Sequence, residues 1–164
     1  VGFISRFLAD AGLTCNPSKE SRTAPGEAWV FLGFSCRDGV IDIAPASLQK
    51  LKAKMRRKAR ALARWRDRKK APGENAAKAF IRAFNRKLFE GVPEHDLTWA
   101  RWYFPVITTA DSLKIIDAYA QSCIRTLATG KHTKGAYQFR YEDMKKLGYG
   151  PLVGRYYGSR NEEN

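Results

Sequence analysis

The chain has 164 residues and a formal net charge of +14, because 30 Lys and Arg outnumber 16 Asp and Glu. Hydrophobic residues at 44% and aromatic residues at 12% exclude a disordered polypeptide. This length allows one domain with a proper core, or the joined parts of two small domains.

Cysteine spacing and apolar runs restrict the class of protein further. The three cysteines lie far apart and form no Cys-x-x-Cys pair, which argues against zinc and for a reducing compartment. No apolar run approaches the ~18 residues of a membrane span, and no charged-then-apolar signal leads the chain. We therefore expect a cytoplasmic protein with no membrane partner and no metal site within this chain.

The first segment is predicted to be an amphipathic helix that Gly12 ends as a left-handed cap. A turn at Asn16-Pro17-Ser18 then leads to Lys19. Because the chain starts inside this apparent helix, we expect it to be a piece of a longer protein. The apolar face of the helix would consist of Phe3, Ile4, Phe7, Leu8 and Ala11.

Two extended segments are expected next. Residues 27–36 are rich in aromatic and β-branched side chains, and Arg37-Asp38-Gly39 returns the chain into residues 40–43. The pattern predicts a two-stranded hairpin with an Asp-Gly turn. Because strand faces alternate, the apolar residues here could both pack on a core and contact a ligand: Phe31, Leu32 and Phe34.

A long basic helix is predicted over residues 46–70. Its apolar residues form one stripe at three- and four-residue steps: Leu48, Leu51, Met55, Ala59, Leu62 and Trp65. The opposite side carries Lys50, Lys54, Arg57, Arg64 and Arg68, and one flank carries Lys52, Arg56 and Arg60. Twelve of the 25 residues are Lys or Arg, and Asp67 is the only acid.

This imbalance of charge predicts an anionic partner. Like charges three or four residues apart repel by roughly a few tenths of a kcal/mol each, so a merely solvated helix usually mixes both signs. A regular rod of phosphates is the natural partner, which favours nucleic acid over plain solvation. A membrane surface is a weaker alternative, because the apolar stripe is narrow and other segments can cover it.

The remaining chain predicts a helical bundle. After a break at residues 71–74, Asn75 is expected to cap a second helix. Its apolar face would comprise Ala77, Phe80, Ile81, Phe84 and Leu88, and its cations Lys78, Arg82, Arg86 and Lys87 would continue the positive surface. A third helix is predicted over Asp111–Thr129, with Gly130 as its cap.

An irregular aromatic segment, residues 95–109, lies between the second and third helices. Its rings are expected to fill the space between helices, although stacking on bases beside Arg101 is an alternative. Downstream, Lys131–Lys134 is expected to be a basic loop that touches phosphate, Tyr141–Leu147 a short helix and Arg160–Asn164 a frayed terminus. The aromatic residues are Trp99, Trp102, Tyr103 and Phe104.

Three motifs in order resemble the end of a bacterial or group II intron-type reverse transcriptase. They are Gly12-Leu13-Thr14-Cys15-Asn16-Pro17-Ser18-Lys19, then Phe31-Leu32-Gly33-Phe34, then Ile43-Ala44-Pro45 before the basic helix. In that family the palm ends with a helix, a "GL-x-x-N-x-x-K" segment and an "FLGF" hairpin called the primer grip, and a basic helix opens the thumb. Residues 84–91 are similar to the thumb helix of the same enzymes, and residues 148–157 resemble their C-terminal ends.

The resemblance implies an α+β, mainly α fold. Residues 1–45 would be the end of the palm, residues 46–130 a helical thumb and residues 131–164 a C-terminal extension. Lys19 would act as proton donor or charge neutraliser for the leaving pyrophosphate, and the primer grip would consist of Phe31, Leu32, Gly33 and Phe34. The nucleic-acid contacts would be Lys50, Lys54, Arg56, Arg57, Arg60, Arg64, Arg68, Arg82 and Arg86.

The catalytic metal site of this family is not expected within the chain. Such polymerases bind two Mg²⁺ ions through aspartates, including an aromatic-x-Asp-Asp pair upstream of the residues seen here. No Asp-Asp occurs in this sequence, and Tyr141-Glu142-Asp143 is interpreted as surface helix. The chain would therefore be inactive alone, and its partners would be an RNA template–DNA primer duplex and the rest of the polymerase, its fingers and catalytic palm.

Two other functions remain open from the sequence. One is an intron maturase-like module that binds structured RNA and assists splicing. The other is a stand-alone basic helical protein that binds nucleic acid and has no polymerase parent.

Overall fold

A computed structural model describes residues 2–14, 16, 23–24, 26–90 and 97–162, and within these ranges most residues are helical. A small antiparallel sheet accompanies the helices, which confirms the predicted α+β, mainly α class. The strands are β1 (Trp29–Phe31), β2 (Phe34–Arg37) and β3 (Val40–Ile43). The helices are α1 (Gly2–Asp10), α2 (Pro45–Lys69), α3 (Gly73–Phe89), α4 (Trp99–Tyr103), α5 (Asp111–Thr129), α6 (Tyr141–Lys146) and α7 (Leu152–Glu162).

The sheet contains two tight turns where the sequence predicted one. The single strand expected over residues 27–36 is wrong, because the chain reverses at Leu32-Gly33 and pairs Phe31 with Phe34. Leu32 has a φ of 48° and Gly33 a φ of 90°. Both values suit the turn type whose twist matches that of paired strands. The predicted turn at residues 38–39 is confirmed, and the strand order is β1-β2-β3.

Helix α1 matches the prediction, and its apolar face lies open to solvent. Gly12 follows the helix with a φ of 70°, as expected for a left-handed cap. The side chains of Phe3, Ile4 and Phe7 are 81%, 61% and 65% exposed. No described residue of this helix is buried.

Helix α2 packs its apolar stripe against α3 and α5. Leu48, Leu51 and Met55 are buried, and the rest of the stripe is half-buried against the core. Pro45 opens the helix, where its fixed φ is favourable and its missing N–H is not needed. Lys70 closes it in the left-handed conformation, with a φ of 50°.

Helix α3 begins earlier than predicted, so the expected capping role of Asn75 is wrong. Pro72 precedes the helix, Gly73 starts it, and the Asn75 N–H already donates to the Pro72 carbonyl. Gly73 is required there because a Cβ would overlap the Ala128 carbonyl oxygen near the end of α5. The predicted apolar face is confirmed: Ala77, Phe80, Ile81, Phe84 and Leu88 are all buried.

The aromatic segment was predicted to be irregular, but it contains the short helix α4. Its rings pack between helices, as predicted, and also against the sheet. Tyr103 and Phe104 are buried, while Trp99 and Trp102 are half-buried against the core. Phe34 of β2 lies 5.1 Å from the Tyr103 ring and 5.9 Å from the Trp102 ring, measured between centroids. These contacts join the sheet to the helices.

Helix α5 has the predicted bounds and forms the centre of the bundle. Gly130 caps it with a φ of 70°. At its start, the Asp42 carboxylate on β3 accepts hydrogen bonds from the Ser112 N–H and from the Ser112 hydroxyl at 3.3 and 2.8 Å. The carboxylate of a strand therefore caps the helix and fixes the sheet against it.

The C-terminal region contains a helix that the sequence did not predict. Residues 160–162, expected to be frayed, continue α7. Leu152 and Tyr156 are fully buried, and the Tyr156 hydroxyl donates to the Ile107 carbonyl at 2.8 Å. One core cluster thus extends from Phe34 to Tyr156. Across the described ranges no helix combines the length and apolarity that crossing a membrane requires.

Candidate nucleic-acid interface

Cations opposite the apolar stripe of α2 lie on the protein surface, as predicted for Lys50, Arg57, Arg64 and Arg68. Arg60 was predicted on a flank, but it is exposed and lies three residues after Arg57 and four before Arg64. We call these five cations the outward row: Lys50, Arg57, Arg60, Arg64 and Arg68. Within the described ranges none of them forms a salt bridge, and the one acid of this helix, Asp67, pairs with Arg66 at 2.7 Å. The row is therefore a line of positive charge with no counter-charge along it.

A second set of α2 cations faces α5 instead. The Arg56 Nε donates to the Tyr119 hydroxyl at 3.5 Å, and the Lys52 Nζ lies 5.1 Å from the centre of the same ring. Arg66 donates to the Leu127 carbonyl at 2.9 Å. Arg56 was predicted as a nucleic-acid contact; its side chain is exposed, but Tyr119 positions it on the α5 side of the helix.

The third set lines a groove between α2, α3 and α4, which we call the α2–α3 groove. It consists of two adjoining cavities of about 850 and 780 Å³ that share Lys58 and Arg86. The predicted contacts Lys54, Arg82 and Arg86 lie here, exposed, instead of extending the outward row. Sequence reasoning missed Lys58, although its four-residue spacing from Lys54 places both on one face.

The Phe-Leu-Gly-Phe motif forms the β1–β2 turn, and its four residues have different environments. Phe31 and Leu32 are 61% and 62% exposed, whereas Phe34 is buried against the aromatic segment. Gly33 has no side chain, and side chains of other elements occupy the space beside it: a Cβ there would lie 2.9 Å from the Tyr103 hydroxyl oxygen and 3.1 Å from Ser47 Oγ.

This turn lies against the first turn of α2. Ser47 belongs to that helix, and the Ala44 N–H donates to the Gly33 carbonyl at 2.8 Å just before the helix begins. The exposed tip, Phe31 and Leu32, is therefore near the end of α2 that carries Lys50. An apolar tip and a positive row meet at one end of the helix.

The predicted catalytic residue, Lys19, lies outside the described residues, and its role stays a prediction. In the ranges that the structure describes, no group of three or more His, Cys, Asp or Glu is placed to hold a metal ion. The Tyr141-Glu142-Asp143 segment is surface helix, as predicted, and Asp143 caps α6 by accepting from the Arg140 N–H at 2.9 Å.

Asp117 is a buried acidic residue that sequence reasoning did not identify. It is 5% exposed and accepts hydrogen bonds from the Tyr149 hydroxyl, the Leu152 N–H and the Val153 N–H at 2.9 to 3.1 Å. Burial, together with the Asp117 charge, raises the pKa of Tyr149, so its hydroxyl remains a donor. Asp117 is thus an N-terminal cap for α7 supplied by α5, a structural role.

Comparison with known proteins identified no relative of this chain. The chain matches no protein-family model, no curated protein and no solved structure. Its function is therefore inferred from its own motifs and surfaces.

Proposed function

We propose that this chain is the nucleic-acid-binding C-terminal portion of a reverse transcriptase, an RNA-directed DNA polymerase, and that it grips the template–primer duplex. The observation that carries the proposal is the exposed Phe31-Leu32 tip seated at the start of a helix with an uncompensated positive row. The two features occur in the order in which this polymerase family places its primer grip and its thumb helix.

In this proposal the outward row lies along the duplex backbone. From Lys50 to Arg68 the helix rises roughly 27 Å, which is about the axial length of eight base pairs of duplex. The cations contact phosphates, and neighbouring polar groups contact 2′-hydroxyls, because a polymerase must accept any sequence. The tip of the β1–β2 turn holds the primer end.

The chemistry belongs to the parent enzyme, acting in the bacterial cytoplasm. Lys19 neutralises the leaving pyrophosphate, and the aspartates that bind Mg²⁺ lie in the rest of the polymerase. The open apolar face of α1 supports this arrangement, because the remaining palm and fingers would cover Phe3, Ile4 and Phe7.

An intron maturase-like module is the second candidate. The observation that favours it is the similarity of residues 84–91 to group II intron-type enzymes, since Asn85 and Arg86 of that segment line the α2–α3 groove. Here the same surfaces would bind one folded intron RNA and assist splicing.

Binding to a panel of probes tests the proposal. The chain is titrated with labelled RNA–DNA hybrid, RNA duplex and DNA duplex of one sequence, and with a folded RNA, across a salt series. We expect a steep salt dependence and a preference for the hybrid or the A-form duplex. The double variant Arg57→Gln/Arg64→Gln should weaken binding equally for unrelated sequences and flatten the log–log salt slope by about 1.8, for two lost phosphate contacts.

A matched variant controls for net charge. Arg37 and Lys114 are exposed cations that already pair with Asp38 and Asp111, so Arg37→Gln/Lys114→Gln removes the same charge from outside the row. It should leave the slope nearly unchanged. Unchanged binding by the Arg57/Arg64 variant would refute the assignment of the outward row as the duplex-binding surface. Equal weak binding to all probes would favour the stand-alone binding protein. Selectivity for one folded RNA would favour the maturase-like module.

A further inference from the structure

The α2–α3 groove differs in character from the outward row, because its floor is apolar. Leu51, Met55 and Phe84 form the bottom of the larger cavity, with Trp99 and Trp102 along its wall. The smaller cavity continues it past Trp65. From Lys54 to Trp65 the groove follows α2 for roughly 16 Å.

The rim of the groove is strongly positive. Among the residues that the structure describes, six exposed cations and one acid, Glu90, line it; the cations are Lys54, Lys58, Lys78, Arg82, Arg86 and Lys87. Among the residues that the structure describes, none of the six forms a salt bridge with an acid. Such a rim suits a polyanion and disfavours an ordinary apolar peptide.

The tryptophans of the groove are only half-buried. The Trp99 ring is held by Tyr103 at 4.7 Å between centroids, and Trp102 by Phe34 at 5.9 Å. Each ring is fixed on one side by the core and leaves part of its surface open to the groove. Fixed aromatic surfaces beside a row of cations are the combination on which unpaired bases stack.

We propose that the α2–α3 groove binds a single-stranded segment of nucleic acid, with bases against Trp99 and Trp102 and phosphates along the six cations. A duplex would match the rim but not the apolar floor, because its base faces are covered by stacking. The inference rests on the proposed nucleic-acid binding and assigns the groove to an unpaired segment that adjoins the duplex on the outward row.

Tryptophan fluorescence tests the groove directly. The chain has four tryptophans, and Trp29 on β1 lies outside the groove, so Trp29→Phe leaves only Trp65, Trp99 and Trp102 as reporters. Titration of this variant with a short oligodeoxythymidylate should quench its fluorescence to saturation. A blunt RNA–DNA hybrid duplex should bind with much less quenching.

Two matched double variants distinguish binding at the α2–α3 groove from binding at the outward row. In the Trp29→Phe background, Lys58→Gln/Lys87→Gln should raise the Kd for the oligonucleotide about tenfold and lower its log–log salt slope by about 1.4. Its Kd for the blunt duplex should change less than about threefold. Arg57→Gln/Arg64→Gln, which removes the same charge, should show the reverse pattern.

The outcomes of this experiment are distinct from those of the duplex test. Oligonucleotide binding without quenching, or equal weakening by both double variants, would overturn the groove assignment while leaving the outward row intact. Loss of duplex preference, with quenching that still depends on Lys58 and Lys87, would overturn the proposed polymerase function and support the groove.

Discussion

Gly33 belongs to the Phe-Leu-Gly-Phe motif, and both its backbone conformation and its neighbours restrict which residue can occupy this position. It has a φ of 90° in the β1–β2 turn, and Gly39 holds the same place in the β2–β3 turn with a φ of 78°. A Cβ at Gly33 would crowd the Tyr103 hydroxyl oxygen at 2.9 Å, whereas a Cβ at Gly39 would meet no atom within 4 Å. The two glycines therefore share a backbone requirement and differ in their surroundings.

We expect Gly33→Ala to destabilise the protein more than Gly39→Ala. Each substitution should cost about 1–2 kcal/mol because an L side chain is unfavourable at positive φ. Gly33→Ala should cost about 1 kcal/mol more, since the new methyl group must displace Tyr103 or Ser47. Urea denaturation of both variants measures the difference in the free energy of unfolding.

A Tyr103→Phe background isolates the cause of that difference. Removing the hydroxyl oxygen should reduce the extra cost of Gly33→Ala and leave the cost of Gly39→Ala unchanged. Equal costs for the two glycine variants in the original background would contradict the prediction. The glycine would then serve the turn alone.

The other motif residues show what a sequence can predict at this scale. Alternation along one strand was the reason to expect different roles for Phe31 and Phe34, and that reason is wrong, because the two residues are cross-strand partners on one face of the sheet. They differ because Phe34 lies on the central strand β2 against the aromatic segment, whereas Phe31 lies on the edge strand β1 and is exposed. The turn that separates them was missed, because Leu32 is not a residue that usually occupies a left-handed position. Pairing of β1 with β2, which no local signal encodes, holds it there.

At the scale of whole elements, periodicity predicted the long helices and failed for the last one. The apolar stripe of α2 recurs over about five turns and that of α5 over about four, so their burial follows from spacing alone. Helix α7 has two deeply buried anchors, Leu152 and Tyr156, and contains Gly154 and Gly158, which lower helix propensity. Its stability depends on Asp117, which lies 35 residues before Leu152.

We expect Asp117→Ala to destabilise the protein by about 3–4 kcal/mol, since buried donors from Tyr149, Leu152 and Val153 would lose their acceptor. Urea denaturation measures the loss, and limited proteolysis should detect release of α7. Asp111→Ala is the matched control: Asp111 starts the same helix but is exposed, and it forms its salt bridge with Lys114 at the surface. A similar effect of both variants would contradict the capping role.

For the molecule as a whole, the same cations determine both stability and binding. The net charge of +14 is concentrated along α2, where outward-row residues such as Arg57, Arg60 and Arg64 lie three or four apart without a counter-charge. These repulsions oppose folding of the free protein. A bound polyanion would remove them.

Salt should therefore act on folding and on binding in opposite directions. Raising NaCl from about 20 to about 300 mM shortens the Debye length to a few ångströms. Screening should then increase the free energy of unfolding by about 1–2 kcal/mol, since several like-charge pairs contribute a few tenths each. The same change should weaken binding to every duplex. Urea denaturation and duplex titration at both salt concentrations measure the two effects on one sample.

Charge-matched variants identify which cations carry the effect. Arg57→Gln/Arg64→Gln removes unpaired charges from the outward row, so its stability should depend less on salt than that of the natural sequence. Arg37→Gln/Lys114→Gln removes charges that already have acidic partners and should leave the salt stabilisation nearly intact. If salt leaves the stability of the natural chain unchanged or lowers it, the row is already neutralised within the free protein. The cations of the outward row would then carry no uncompensated charge with which to bind a duplex.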